Sequence, residues 1–124
     1  MKSYKDLDVY RLAHELAVTT HKMTLQLLPK FEMFEEGSQI RRSSKAIPSN
    51  IVEGFGRKQY QQEFIRFLTY ALASSDETKE HLQLLWDTES LKDTAIYEKL
   101  FAGYEELGKK LFRFREAVLK GLKS

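Results

Sequence analysis

The histidines are the residues of this chain best suited to metal binding or proton transfer, and they stand at His14, His21 and His81. A zinc-protease helix carries a second histidine four residues after the first, whereas Val18 follows His14 at that spacing. His14 and His21 are two helical turns, about 10 Å, apart, which is too far for one metal ion. Di-iron bundles need Glu three residues before His, and none of these histidines has it. We therefore expect no metal site, no cofactor and no enzymatic activity.

Two further patterns are weaker signals of chemistry. Glu77, Glu80 and His81 can come together on one helix, although an exposed acidic turn is the simpler interpretation. The Gly-Phe-Gly segment at Gly54 and Gly56 lacks the preceding strand and the Lys-Ser or Lys-Thr pair of a phosphate-binding loop. We interpret these glycines as a helix stop in the left-handed conformation. The sequence contains no cysteine, so it has no thiolate nucleophile and no disulfide framework.

Basic side chains are concentrated in residues 39–58 and 109–124, whereas acids dominate residues 74–106. The planar guanidinium of arginine can donate two parallel hydrogen bonds to a phosphate. Clustered cations that neutralise a polyanion also release its counterions, which favours binding. Phe55 and Tyr60 lie close enough in sequence to offer stacking surfaces to unpaired bases. We therefore predict binding of RNA or single-stranded DNA, with these candidate residues: Arg41, Arg42, Lys45, Arg57, Lys58, Lys109, Lys110, Arg113 and Arg115.

The same charges have other interpretations that the sequence leaves open. They can be solvated helix faces, or Arg41 or Arg42 can pair with Glu53 or with acids of a neighbouring subunit. The separation of positive and negative segments also suits head-to-tail assembly. The alternative function is therefore a structural assembly or adaptor protein, for example a scaffold for another protein, with no role in nucleic-acid binding.

Apolar residues recur at helical spacing and predict four helices, at about residues 7–28, 38–54, 59–87 and 93–120. Pro29 ends the first helix, Ser38 is a plausible N-cap of the second, and Asp93 or Thr94 caps the fourth. Pro48 lies inside the second helix, where we expect a kink or a new helix start. The predicted core positions are Val9, Ala13, Leu16, Thr20, Met23 and Leu27; Ile40, Ser44, Ile47 and Ile51; Phe64, Leu68, Ala71, Ser75, Thr78, Leu82 and Leu85; and Tyr97, Leu100, Tyr104, Leu107, Leu111, Phe114 and Val118.

Short connections between the helices favour a single all-α domain, an antiparallel up-and-down four-helix bundle. We expect the loop side chains Phe31, Met33 and Phe34 to fold onto one end of the bundle. Several helices carry more than one apolar stripe, and a small monomer cannot bury them all. A homo-oligomer is therefore expected. The additional apolar residues are Tyr10, Leu12, Leu25, Tyr60, Phe67, Tyr70, Leu84, Ile96, Phe101 and Phe112.

Pro48, Asn50, Glu53 and Gly54 form a candidate structural motif. Asn50 and Glu53 are one turn apart and can hydrogen-bond each other or the carbonyl that Pro48 leaves free. We expect them to fix helix register, and a ligand role is the alternative.

Several segments resemble the signature of the four-helix-bundle proteins called intervening-sequence proteins, which are named for insertions in large-subunit ribosomal RNA genes. The helix-two entry differs, because Glu36-Gly37-Ser38 stands where the family more often has Leu-Thr-Ser, and Ala46 replaces a usual Ser. The segments that carry the resemblance are Gln39–Arg42, Ile47–Gly54, Gly56-Arg57, Leu7–Tyr10 with Ala13 and Leu16, Glu63–Leu68 and Glu106–Lys109.

This resemblance implies a four-helix bundle that assembles as a ring-like homopentamer. The accessory proteins of diversity-generating retroelements are similar; they form pentamers, bind nucleic acid and join a reverse transcriptase. The implied partners are thus copies of the same chain, RNA or single-stranded DNA, and a reverse transcriptase where one is encoded nearby. No apolar run is long enough to span a bilayer and the first residues do not resemble a secretory signal, so we expect a cytoplasmic protein without a membrane partner.

Overall fold

Four helices make up most of residues 3–121, which are the residues that the structure, a computed structural model, describes. Two one-turn 3₁₀ helices, Tyr4–Asp6 and Lys30–Phe34, precede the first two of them. This part of the chain contains no strand. The helices are α1, Asp8–Leu27; α2, Glu36–Gly56; α3, Gln61–Asp87; and α4, Thr94–Gly121.

Each helix packs against the helices that precede and follow it, and α4 returns to pack against α1. The backbones of the diagonal pairs, α1 with α3 and α2 with α4, do not come close together. Because the connections are short, successive helices run in opposite directions. The predicted all-α, up-and-down four-helix bundle is therefore confirmed.

The predicted core positions are buried, with few exceptions. Every predicted position of α2 and α3 is buried, and so are those of α1 up to Met23. Burial of a Leu or Ile side chain stabilises the fold by about 1.5–3 kcal/mol each. Leu27 is the position that was predicted wrongly, because it is 44% exposed at the last turn of α1. Within α4 the stripe is buried from Leu100 to Leu111 and partly buried at its two ends.

Two predicted helix boundaries are confirmed. Helix α1 ends at Leu27, and Leu28 adopts the extended conformation that a residue before proline prefers. Asp93 caps α4, because its Oδ1 accepts a hydrogen bond from the amide of Ile96 at 3.0 Å.

The predicted N-cap at Ser38 is wrong, because α2 begins two residues earlier at Glu36. The acceptor for its first turn comes from the preceding 3₁₀ helix. Glu32 Oε1 accepts a hydrogen bond from the amide of Gly37 at 3.2 Å, and Glu32 is only 3% exposed. A Cβ on Gly37 would overlap the carbonyl oxygen of Glu32, so this close approach requires glycine.

The glycines at the end of α2 are not the left-handed helix stop that their spacing suggested. Gly54 and Gly56 belong to α2 and have negative φ angles. Gly54 serves a packing role, because a Cβ there would lie 3.0 Å from Phe67 Cβ and 3.1 Å from Phe64 Cδ1. Within residues 3–121 the left-handed conformation is found at Glu89, in the turn after α3.

Helix α2 continues through Pro48, so the predicted new helix start is wrong. Asn50 Nδ2 donates to the carbonyl of Ala46 at 2.9 Å, and Glu53 pairs with Arg57 at 3.4 Å. The predicted bond between Asn50 and Glu53 is therefore not formed. Asn50 acts within its own helix, next to the break that proline makes in the hydrogen-bond ladder.

The segment Lys30–Phe34 packs against α1 and α2, but the predicted folding of its side chains Phe31, Met33 and Phe34 onto the end of the bundle is wrong. Its carboxylate, Glu32, turns inward while Phe31, Met33 and Phe34 remain exposed, Phe34 at 88%. Of the additional apolar side chains, Tyr10, Leu12, Ile96 and Phe101 pack against the core, whereas Leu25, Tyr60, Tyr70 and Phe112 are exposed.

Candidate nucleic-acid interface

The bundle has two ends, and the predicted basic residues divide between them. We call the end with the start of α1, the α2–α3 turn and the end of α4 the N-terminal end. Gln61 Nε2 bonds the carbonyl of Val118 there at 3.0 Å. The opposite end contains the Lys30–Phe34 segment and the α3–α4 connection, joined where Ser90 Oγ donates to Glu32 Oε2 at 2.6 Å.

The candidate basic residues of α2 lie far apart along the helix. Arg41 and Arg42 lie in its first two turns, toward the opposite end, and Arg57 with Lys58 follows its last turn at the N-terminal end. Sixteen residues of helix separate Arg41 from Arg57, a distance of about 24 Å. The candidates therefore form two groups rather than one surface, and those of α4 join the N-terminal group.

The side chain of Arg41 forms hydrogen bonds with other residues of the same protomer. Its guanidinium donates to Thr24 Oγ1 at 3.0 Å and to the carbonyl of Met33 at 2.7 Å. These bonds tie α2 to α1 and to the Lys30–Phe34 segment, so Arg41 is a structural residue. Arg42 and Lys45 are exposed, and neither forms a hydrogen bond or ion pair within the described range.

The α2–α3 turn combines two cations with aromatic rings. Arg57 bridges Glu53 and Glu63 at 3.4 and 3.1 Å and lies 4.9 Å from the centre of the Phe67 ring. Lys58 Nζ lies 3.9 Å from the centre of the Phe55 ring. Exposed ion pairs of this kind contribute about 0–1 kcal/mol, so a phosphate can displace them at little cost.

Two candidates of α4 have partners within the protomer. Lys110 pairs with Glu106 at 3.4 Å. Arg115 donates to Thr69 Oγ1 at 3.1 Å and lies 5.5 Å from the centre of the Phe112 ring. Arg115 therefore connects α4 to α3 and supports one side of Phe112.

The remaining candidates of α4, Lys109 and Arg113, are exposed and form no hydrogen bond or ion pair among the residues described. Phe112 lies between them in sequence and is 51% exposed. Spacings of three and four place all three on one face of the helix. We call Lys109, Phe112 and Arg113 the α4 crest. The crest borders a cavity of about 520 Å³ between α3 and α4, which is open beside Gly108.

Several polar residues in the core were not recognised from the sequence as a connected set. Thr20 Oγ1 and Tyr104 Oη lie 2.6 Å apart, and Thr78 Oγ1 lies 2.8 Å from Ser43 Oγ. Burial raises the pKa of Tyr104 to about 12, although its hydrogen bond to Thr20 acts in the other direction. These hydroxyls look like ordinary small residues in a stripe, so sequence alone carries little sign of their pairing.

His81 lies between two carboxylates, with Nδ1 at 2.6 Å from Glu36 and Nε2 at 3.2 Å from Glu77. Over residues 3–121, no group of three or more potential ligand side chains is placed to hold a metal ion. Nor does any helix in that range combine the length and apolar character needed to cross a bilayer.

Known proteins share this sequence pattern and this fold. The sequence model of the 23S rRNA-intervening sequence protein family matches residues 5–113. A solved structure from Bacteroides thetaiotaomicron VPI-5482, described as a protein with unknown function from the S23 ribosomal protein family, has a TM-score of 0.78 to this chain. It is 30% identical, over 87% of this chain and 95% of that one. Among curated proteins, none matches the sequence significantly. The matched residues include α1, α2, α3 and the part of α4 up to Arg113, and this chain belongs to the 23S rRNA-intervening sequence protein family.

Proposed function

We propose that this chain is a non-enzymatic cytoplasmic protein that assembles with copies of itself and binds RNA or single-stranded DNA. The observation that carries the proposal is the α4 crest. Its two cations form no hydrogen bond or ion pair with residues 3–121, and its aromatic ring is half exposed. Cations that neutralise phosphates, together with rings that stack on bases, are the two elements of sequence-tolerant recognition of single strands.

The α2–α3 turn adds further cations and aromatic rings at the N-terminal end of the bundle. Arg57 and Lys58 lie against aromatic rings, and Tyr60 is exposed beside them. The chain thus offers several cations interleaved with aromatic side chains at its N-terminal end. Arg42 and Lys45 form a second, smaller basic group on α2, between its second turn and its middle.

Charge reversal on the crest tests nucleic-acid binding. We expect Lys109→Glu with Arg113→Glu to weaken binding to a fluorescent 20-nucleotide single strand at least tenfold at low salt. The slope of log K against log salt should also fall by about 1.4, since each lost phosphate contact removes about 0.7 on single strands. Phe112→Ala should weaken binding about fivefold or more, because one stacked base is lost.

The matched control is Lys92→Glu with Lys99→Glu, which makes the same change of charge at exposed positions near the start of α4. Fluorescence anisotropy gives both the affinity and the salt slope. Binding by the control double variant should stay within twofold of the wild type. The proposal fails if the wild type does not bind at low salt, or if both double variants lose affinity equally.

Self-assembly is supported by the apolar surface that the protomer leaves exposed. Large apolar side chains are exposed at the opposite end of the bundle, where few partners in the protomer reach them: Leu25, Leu27, Phe31, Met33 and Phe34. Patches of this kind usually mark contact surfaces. Homo-oligomers usually have closed symmetry, and a ring of five copies is what the family resemblance implies.

We expect sedimentation velocity at micromolar concentration to show an oligomer in the wild type. Phe31→Ser with Phe34→Asp should shift it to a monomer, because a charge replaces the most exposed ring, while the circular dichroism spectrum stays unchanged. Tyr60→Ser is the control at the other end of the bundle. A wild-type monomer contradicts the assembly proposal.

The alternative is an assembly or adaptor protein without nucleic-acid binding, supported by the ion pairs that already occupy Arg57 and Lys110. Arg42→Glu with Lys45→Glu separates the two functions, and Arg41 is left unchanged because it stabilises the fold. Loss of the oligomer in this variant favours the adaptor, whereas loss of nucleic-acid affinity in an intact oligomer favours binding. A reverse transcriptase belongs to the proposal only where one is encoded beside this gene.

A further inference from the structure

A cavity of about 370 Å³ lies in the groove between α1 and α2, away from the α4 crest. Its apolar lining comes from Ala17, Val18 and Pro48. Val18 is exposed. A volume of this size is within the range of sites that bind small ligands.

The polar residues that line this cavity carry one sign of charge. Lys22 and Lys45 contribute ammonium groups, His14 and His21 contribute imidazoles, and no carboxylate lines the cavity. The pKa of His21 is lowered by burial, by Lys45 and by Arg41, so His21 experiences a positive field. The Nδ1 atom of His21 is buried and has no hydrogen-bond partner in the described protomer. An occupant of this groove must therefore combine an apolar body with negative charge.

From this combination we propose that the α1–α2 groove binds one nucleotide, with the base on Val18 and Pro48 and the phosphate near Lys22 and Lys45. A nucleotide has a flat apolar face and an anionic group at one end, and it fits the available volume. The proposal rests on the proposed function and deepens it, because Lys45 belongs to the basic group that Arg42 and Lys45 form on α2. It extends the candidate site to α1, where the sequence analysis placed no binding residue.

The test follows the imidazole resonances of His21 by NMR while the full-length protein is titrated with uridine monophosphate or with a five-nucleotide oligouridylate. Bound phosphate offsets the field of Lys45 and Arg41, so the His21 titration should move to higher pH. Lys22→Glu with Lys45→Glu should abolish this shift. Val18→Trp fills the cavity without changing charge and should weaken nucleotide binding at least fivefold, about the loss of one stacked base.

Ala95→Trp, at an exposed position of α4, is the control for the added ring, and Lys92→Glu with Lys99→Glu controls for charge. A shift with the free nucleotide, the strand or both supports the groove and identifies the source of the phosphate. If the strand binds but neither ligand moves His21, the groove proposal is wrong and the α4 crest remains. If uridine monophosphate moves His21 but strands do not bind, the proposed function is wrong and the groove remains. If Val18→Trp instead breaks an oligomer, the groove is an interface between copies and the nucleotide proposal is overturned.

Discussion

Replacing Glu32 with Ala is expected to lower the free energy of unfolding by about 3 kcal/mol. The Glu32 carboxylate is 3% exposed and accepts hydrogen bonds from the amide of Gly37 and the hydroxyl of Ser90. Without it, two buried donors lose their acceptor, and each unsatisfied group costs about 1–3 kcal/mol. The first turn of α2 also loses the anion next to its amides, which the helix dipole favours.

Glu32→Gln provides the matched comparison, because it keeps the shape and one carbonyl oxygen. We expect that variant to cost about 1 kcal/mol, since the carbonyl oxygen can still accept from Gly37 while the hydroxyl of Ser90 meets an amide. Glu35→Ala, at an exposed neighbour, should change stability by less than 0.5 kcal/mol. Urea unfolding followed by circular dichroism measures all three variants. If Glu32→Ala is as stable as Glu35→Ala, the carboxylate does not support the start of α2.

Alkaline pH is expected to destabilise the bundle through Tyr104. Its pKa is about 12 in the folded protein and about 10 when unfolded, so the folded state holds the phenol proton more tightly. The contribution is fully present below pH 10 and is lost as the pH rises through 12. Two pKa units correspond to about 2.7 kcal/mol, of which roughly 2 kcal/mol is lost by pH 11.5.

Tyr104→Phe removes this pH dependence. At pH 7 the variant should be less stable by about 1 kcal/mol, because the hydroxyl of Thr20 loses its partner. At pH 11.5 the order should reverse, with the variant more stable than the wild type by about 1 kcal/mol. Tyr70→Phe, at an exposed tyrosine, is the control. Parallel stability curves for wild type and Tyr104→Phe between pH 9 and pH 11.5 would show that Tyr104 is not the group responsible.

The helices could be predicted because the spacing of apolar residues along each helix indicates which face is buried. In α3 every predicted core residue from Phe64 to Leu85 is buried, and the same holds for α2 from Ile40 to Ile51. A repeat of three and four residues is fixed by helix geometry, so it needs no knowledge of the partner. The prediction of burial was wrong at Leu27, because the other helices leave this residue exposed at the last turn of α1.

The sequence predicted which types of residue form the candidate site. It did not predict which of those residues lie together. Sequence proximity placed Arg41 beside Arg42 as equivalent cations, yet Arg41 bonds Thr24 and Met33 while Arg42 forms no hydrogen bond or ion pair with the residues that the structure describes. Similarly, Lys109 and Lys110 are neighbours in the chain, and only Lys110 has an acid one turn away in contact. Which cations remain available depends on side chains that the fold brings from other elements.

By itself, the sequence determined the all-α class, the order of four helices, their core faces and the family pattern, because these depend on local periodicity and on residues close in the chain. Only the tertiary structure decided where α2 begins, what Gly54 is for, which end of the bundle each cation occupies and that Phe31 and Phe34 stay exposed. The physical reason is that these features arise from contacts between residues distant in sequence. Glu32 with Ser90, Gly54 with Phe67 and Thr20 with Tyr104 exist only once the helices have packed.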